Sequence, residues 1–267
     1  MEIKFPIASK DQLIDQLKEK IDCNSGIKLI ILDHITGPSA ILMPIEELIQ
    51  VCHQKGVMVM VDGAHAPGQV KLELDKLGAH FYIGNLHKWC YSARGCAFLY
   101  VNSKVRDAVH PVVTTSFERP RLRDRFILQG TKDYTSLCAS SAAVEYFKDI
   151  GGLTAVTKYN SSLLSWATDM LCKAWNTSLL PIPDSMQAPF MVLIKMPDIE
   201  NVPLTPEGST SIAASVYKQH NLHIACTRVD GRFWLRLSAH IYNYEDDFYK
   251  LRDALMDMYQ SSYNLNS

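Results

Sequence analysis

V-M-V-M-V-D-G-A-H occupies positions 57–65, and F-Y-I-G-N-L-H-K-W follows at 81–89. Each opens as a short apolar run and closes in a polar cluster: Asp62 and His65 in the first, Asn85, His87 and Lys88 in the second. The strand-like part of the first, 57–62, is almost continuously apolar, as a strand covered on both faces is. Runs of similar character lie at 27–33 (I-K-L-I-I-L-D) and 96–101 (C-A-F-L-Y-V), and 80–84 (H-F-Y-I-G) is a compact run rich in β-branched or aromatic residues. Between the first two, positions 44–54 carry Pro44 at the first helical position, then Leu48, Val51 and Cys52 at helical spacing. This alternation predicts an α/β domain with a mostly parallel sheet.

Past Val101 the pattern changes. Positions 110–130 are irregular, with Pro111, Pro120 and four arginines, Arg119, Arg121, Arg123 and Arg125. Two helical patterns follow at 134–149 and 151–176, separated by Gly151-Gly152. Positions 177–189 carry Pro181, Pro183 and Pro189 and read as a linker. Beyond it, 190–196, 222–227 and 233–238 read as strands, and 210–220 and 244–259 as helices. The expected division is a large α/β domain over 1–180 and a small α+β domain over 181–267. The chain enters directly on a helical pattern at 10–20, and four strands are few for a parallel sheet enclosed by helices. The expectation is that the upstream part of the large domain lies outside this sequence.

Bulk composition narrows the function classes. The 267 residues are 47% apolar and 21% charged, with a net charge of −1, as in ordinary soluble globular proteins. That charge gives no support to a nucleic-acid or anionic-membrane surface, and the arginines at 119–125 read as a solvated loop. Seven cysteines, odd in number and without a C-x-x-C pair, argue for reduced thiols and against a disulfide framework or structural zinc. His34, His53, His80, His110, His220, His223 and His240 show no ligand spacing, so no metal is assigned. No apolar run is long enough to span a membrane, and the first residues lack secretory or transit-peptide character. A cytoplasmic, soluble protein is expected.

In an open α/β sheet, ligands bind beyond the carboxyl ends of the strands, which is where Asp62 and Lys88 fall. The pairing suits pyridoxal phosphate (PLP), which needs a lysine to form a Schiff base and a carboxylate at its pyridine nitrogen. Such a contact at about 4 Å in an effective dielectric near 20 is worth roughly 4 kcal/mol. That is about three pKa units, enough to keep the ring nitrogen protonated at neutral pH. The lysine amine, once freed, is the natural general base at the substrate's α-carbon.

Five segments together resemble the class V aminotransferases: D-G-A-H-A-P-G (62–68), G-N-L-H-K-W (84–89), R-G-C-A-F-L-Y-V (94–101), Q-G-T-K-D-Y (129–134) and L-R-L-S-A-H-I-Y-N (235–243). The likeness is to the isopenicillin-N-epimerase-like branch, related to cysteine desulfurases and C–S lyases. It implies the PLP-dependent fold type I. By that resemblance Lys88 holds the cofactor, Asp62 pairs with the ring nitrogen and His65 lies beside the ring hydroxyl. His87 and Asn85 serve the phosphate. Gly130-Thr131 matches a segment reaching the partner subunit's phosphate, which implies a homodimer with shared sites. Arg236 matches the arginine that clamps the substrate carboxylate. Gly37 stands where relatives carry Asn or Ser against the ring, so that contact is expected to be lost or displaced. Cys226 sits inside an apparent strand and reads as packing, not as a desulfurase nucleophile. The implied activity is C–S/β-lyase or epimerase chemistry on a small amino acid. The alternative is a catalytically impaired short isoform that dimerises with, or regulates, longer subunits.

Overall fold

The computed structural model describes residues 2–113, 120–127, 130–199 and 202–264. Arg119 and Gln129, which belong to two of the segments singled out above, lie outside the described residues. In chain order the elements are α1 (Lys10–Asp22), β1 (Leu29–Asp33), α2 (Ile45–Gln54), β2 (Met58–Gly63), α3 (Leu74–Leu77), β3 (Phe81–Asn85), α4 (Leu86–Trp89), β4 (Ala97–Val101), α5 (Leu122–Ile127), α6 (Thr135–Cys138), α7 (Ser140–Asp149), α8 (Gly152–Trp175), β5 (Met191–Lys195), α9 (Pro206–His220), β6 (Ala225–Val229), β7 (Arg232–Ser238) and α10 (Glu245–Asn264). Among the described residues no helix is long and apolar enough to cross a membrane.

Contacts divide the chain into two compact units, each gathered from separate stretches: 14–34 with 44–152, and 1–13 with 35–43 and 153–267.

The first of these units carries a four-stranded sheet in the order β1-β2-β3-β4. β1, β2 and β3 are parallel, and β4 returns antiparallel to β3. Leu32, Val59, Val61 and Tyr82 point to one face and are buried, and α2 packs there through Ile45, Leu48, Ile49, Val51 and Cys52. Each such aliphatic side chain contributes about 1.5–3 kcal/mol by leaving water. Pro44, read as the first helical residue, sits one position earlier as the N-cap.

The opposite face of the same sheet is open. Leu29 and Ile31 on β1, Met58 on β2, Ile83 on β3 and Leu99 on β4 are all exposed, Ile31 to 64%. The near-continuous apolar character of the strands suits cover on both faces, yet among the described residues only one is covered.

The second unit holds an antiparallel sheet in the order β5-β7-β6. Its core joins Leu164, Leu171 and Trp175 of α8 to Ile194, Ile212, Val216, Phe233, Leu235, Phe248 and Leu251. α9 begins with Thr205 accepting from the Gly208 backbone N–H and with Pro206 in its first turn. It ends at Asn221, in the left-handed region at φ 54°, a conformation asparagine tolerates well. Residues 35–43 belong to this unit, with Ile41 bridged to Gln187 and the Leu42 N–H bonded to the Met186 carbonyl.

Candidate active site

β2 closes on Asp62-Gly63 and β3 on Gly84-Asn85, so the polar ends of two adjacent parallel strands emerge at one edge of the sheet. Asp62 stands in register with Asp33 on one side and Ile83 on the other. The Ala64 backbone N–H donates to Asp62 Oδ1 at 2.9 Å, an Asx turn that fixes the carboxylate. Oδ2 has no hydrogen-bond partner among the described residues.

The chain then turns at Gly68, where φ is +84° and a Cβ would lie 2.5 Å from the Trp89 carbonyl oxygen. Only glycine meets both demands. This close approach lays the 62–68 turn against α4 and brings His65 to Lys88, with Nε2 and Nζ 3.0 Å apart. The Trp89 indole N–H reaches His65 Nδ1 at 3.4 Å, and the Gln69 side chain donates to the His65 carbonyl at 2.8 Å. An indole N–H only donates, so it favours the His65 tautomer with the proton on Nε2, which can donate to Lys88 only when the lysine is a neutral amine.

Asn85 is the N-cap of α4 in an extended conformation, with its side chain uncommitted to the cap. His87 Nδ1 lies 2.9 Å from the Cys96 carbonyl oxygen and must therefore donate, which leaves Nε2 for a ligand.

Three groups under this edge complete its electrostatics. Burial pushes the His34 imidazole down to about 4, and its Nδ1 lies 2.9 Å from Tyr82 Oη. Burial, and secondarily Asp62, raises the Tyr82 phenol. Asp33 is likewise raised by burial first and by Asp62 second.

Asp62, His65, Asn85, His87 and Lys88 thus share one unit and one sheet edge, and the lysine and His65 are in contact. Thr131 belongs to the same unit, is exposed, and makes no side-chain hydrogen bond among the described residues.

Arg236 belongs to the other unit, on β7 between the buried Leu235 and Leu237. Its Nη1 donates to the Gly37 carbonyl at 2.8 Å, while Nε is buried without a partner among the described residues. Burial lowers its basicity. The guanidinium lines a cavity of ≈350 Å3 with His223, Ser238, Asn243 and Asp247. A buried guanidinium with an orphan donor suits a carboxylate ligand. Gly37 contributes its backbone carbonyl here, where relatives were expected to offer a side chain to the ring. Cys226 lies within β6, its Sγ 3.6 Å from Met196 Sδ, and burial pushes its thiol up to about 11. It is a protonated, packed thiol.

The donor set fits PLP: an amine touching an imidazole, and a carboxylate with a spare oxygen on the next strand. Sequence reasoning passed over Trp89, Asp33 and the His34–Tyr82 pair. A signal for Asp33 was present, because L-D at 32–33 repeats V-D at 61–62 and parallel pairing aligns them.

A family model described as aminotransferase class-V matches residues 1–251. A probable chloroplastic L-cysteine desulfhydrase of Arabidopsis thaliana is 28% identical, the match covering 100% of this chain and 59% of that protein. Isopenicillin N epimerase of Streptomyces clavuligerus is 26% identical, covering 85% and 59% respectively. The chain spans about three fifths of the length of the curated relatives it matches. The apo structure of a cysteine desulfurase from Thermococcus onnurineus NA1 superposes with a TM-score of 0.72 at 17% identity, over 97% of this chain and 66% of that one. The shared architecture is the fold type I of PLP-dependent enzymes.

Proposed function

The chain belongs to the aminotransferase class-V family, and from that premise we propose that it acts as a PLP-dependent enzyme on a small amino acid, with Lys88 bearing the cofactor. The observation that carries this reading is the 3.0 Å contact between Lys88 Nζ and His65 Nε2, at the carboxyl ends of adjacent strands that also present Asp62. PLP bound there supplies an electron-withdrawing ring that stabilises negative charge at the substrate's α-carbon. Asp62 would keep the ring nitrogen protonated, and His65 would orient the lysine amine and serve the ring hydroxyl. Asn85 and His87 would hold the phosphate. Lys88 moves the α-proton as base and acid, and Arg236 takes the substrate carboxylate in its planar fork.

C–S/β-lyase and epimerase chemistry are the two subtypes, drawn from relatives named as a cysteine desulfhydrase and an epimerase. A protonated Cys226 does not suit persulfide formation. We further propose a cytoplasmic homodimer in which Thr131 reaches the partner's phosphate. Seven free thiols fit a reducing compartment.

The test is to mix the purified protein with PLP and reduce with borohydride. A visible absorbance band before reduction, bleached by borohydride, and a cofactor-sized mass fixed on Lys88 after it, both lost in Lys88→Ala, are expected. The exposed apolar face of the four-stranded sheet favours one second reading: a non-catalytic subunit that associates with longer family members. A colourless protein that co-purifies with such a member would replace the first reading by the second.

A further inference from the structure

The other end of the same sheet carries a second constellation. His53 ends α2's last turn, His80 leads into β3, and Asn102 and Lys104 follow β4. These four residues, with Gly56, Val57, Met58 and Gly78, line a cavity of ≈270 Å3. We propose that this cavity is a binding site for a small oxyanion of the phosphate class, separate from the edge that holds Asp62 and Lys88. Met58 lines the cavity and Asp62 lies four residues along β2, so the two sites are about 13 Å apart at ~3.3 Å per residue.

The donors are preorganised. His80 is pinned through both its backbone and its ring: its N–H bonds to the Val59 carbonyl at 3.0 Å, its carbonyl accepts from the Asn102 N–H at 2.9 Å, and its Nδ1 accepts from the Val59 N–H at 3.1 Å. With Nδ1 committed as acceptor, the neutral ring carries its proton on Nε2, so that nitrogen is a donor. The Asn102 carbonyl oxygen is used by the Lys104 N–H at 3.1 Å, which leaves the side-chain NH2 to donate. The His53 ring stands edge-on to His80, centroids 5.3 Å apart. Lys104 makes no ion pair among the described residues.

The charge balance points the same way. No carboxylate lines the cavity. The adjoining cleft, which shares His53 and Gly78, carries Glu46, Lys71, Glu73 and Lys76, but Glu73 is already paired with both of those lysines. Burial first, then the His53 and Lys104 charges, hold His80 below its ordinary basicity. A bound oxyanion relieves that repulsion and accepts from imidazole, ammonium and amide together. The geometry favours a multidentate tetrahedral anion over a halide.

The experiment is a titration of the full chain, 13C-labelled at histidine Cε1, with inorganic phosphate and separately with glycerol phosphate, at ionic strength held constant with sodium chloride. His53→Gln and His80→Gln assign the two resonances. Saturable shifts at both are expected. Lys104→Ala, an exposed change that leaves the far-UV spectrum unaltered, should weaken the midpoint by about tenfold, the worth of one charge-assisted bond. Tighter binding of one titrant identifies free phosphate or a phosphomonoester as the source. Chloride reproducing the shifts, an unmoved midpoint in Lys104→Ala, or a response confined to His65 and His87 at the opposite edge would each overturn the assignment.

Discussion

His65 Nε2 lies 3.0 Å from Lys88 Nζ. The histidine is in turn fixed by Trp89 and Gln69, so it presents one nitrogen to the amine in a set orientation. Removing it should slow cofactor attachment, since a positioned proton-transfer partner is worth about a hundredfold or more. His65→Ala is expected to cut the attachment rate by about that factor, and His65→Gln, which can still donate, by less. Stopped-flow absorbance with PLP in excess measures both; equal rates in the three proteins would dismiss the role.

Gly68 packs its α-carbon against the Trp89 backbone with φ at +84°. A methyl group there meets an unyielding carbonyl and a disfavoured backbone, a combined cost of about 3 kcal/mol. Gly68→Ala should lower the urea midpoint accordingly and displace α4, blunting Lys88 modification as well. Gly26, with nothing within 4 Å of a built Cβ, is the control, and Gly26→Ala should change stability by less than about 1 kcal/mol.

His34 is buried, and its basicity falls from an ordinary 6.5 to about 4. The unfolded chain therefore takes up a proton that the folded chain refuses across that interval. Stability is full above pH 6.5 and declines toward pH 4, by at most about 3 kcal/mol. Asp33, held above the usual carboxylate range by burial and by Asp62, gains stability as pH falls through its raised value, so the decline flattens at the acid end. Urea melts between pH 7.5 and 4.5 check this, with His34→Gln expected to flatten the profile.

Ile31, at 64% exposure, stands amid Leu29, Met58, Ile83 and Leu99 on the open sheet face. Ile31→Lys should leave thermal stability within about 0.5 kcal/mol, as for surface changes generally. It should also reduce binding of a hydrophobic dye and raise solubility. An unchanged dye signal would mean that the face is covered in solution.

Much of the architecture was legible because apolar runs bounded by Gly, Asp and Pro mark strands whatever their neighbours. The strand at 57–62 appears as Met58–Gly63, and that at 233–238 as Arg232–Ser238. The direction of β4 was not legible, since side-chain alternation is the same for parallel and antiparallel pairing. The short α5 lay hidden in a stretch dominated by Pro120 and arginines. Of the site, Asp62 and Lys88 were readable as strand-end residues, and their shared edge followed from parallel pairing. The Arg236–Gly37 bond spans 199 positions, and no local pattern encodes such a partner. The open face was equally hidden, because apolar residues declare a wish to be buried and not whether anything buries them.

One compact body collects residues 1–13, 35–43 and 153–267, while the other takes the stretches between. The backbone is thus threaded back and forth, and no single cut frees either body whole. A piece starting at 153 forfeits Ile41, which is bridged to Gln187, and the Gly37 carbonyl that steadies Arg236. Module exchange with a relative would therefore demand that the short 35–43 graft travel with the carboxyl-terminal portion, or the transplanted guanidinium arrives without its anchor.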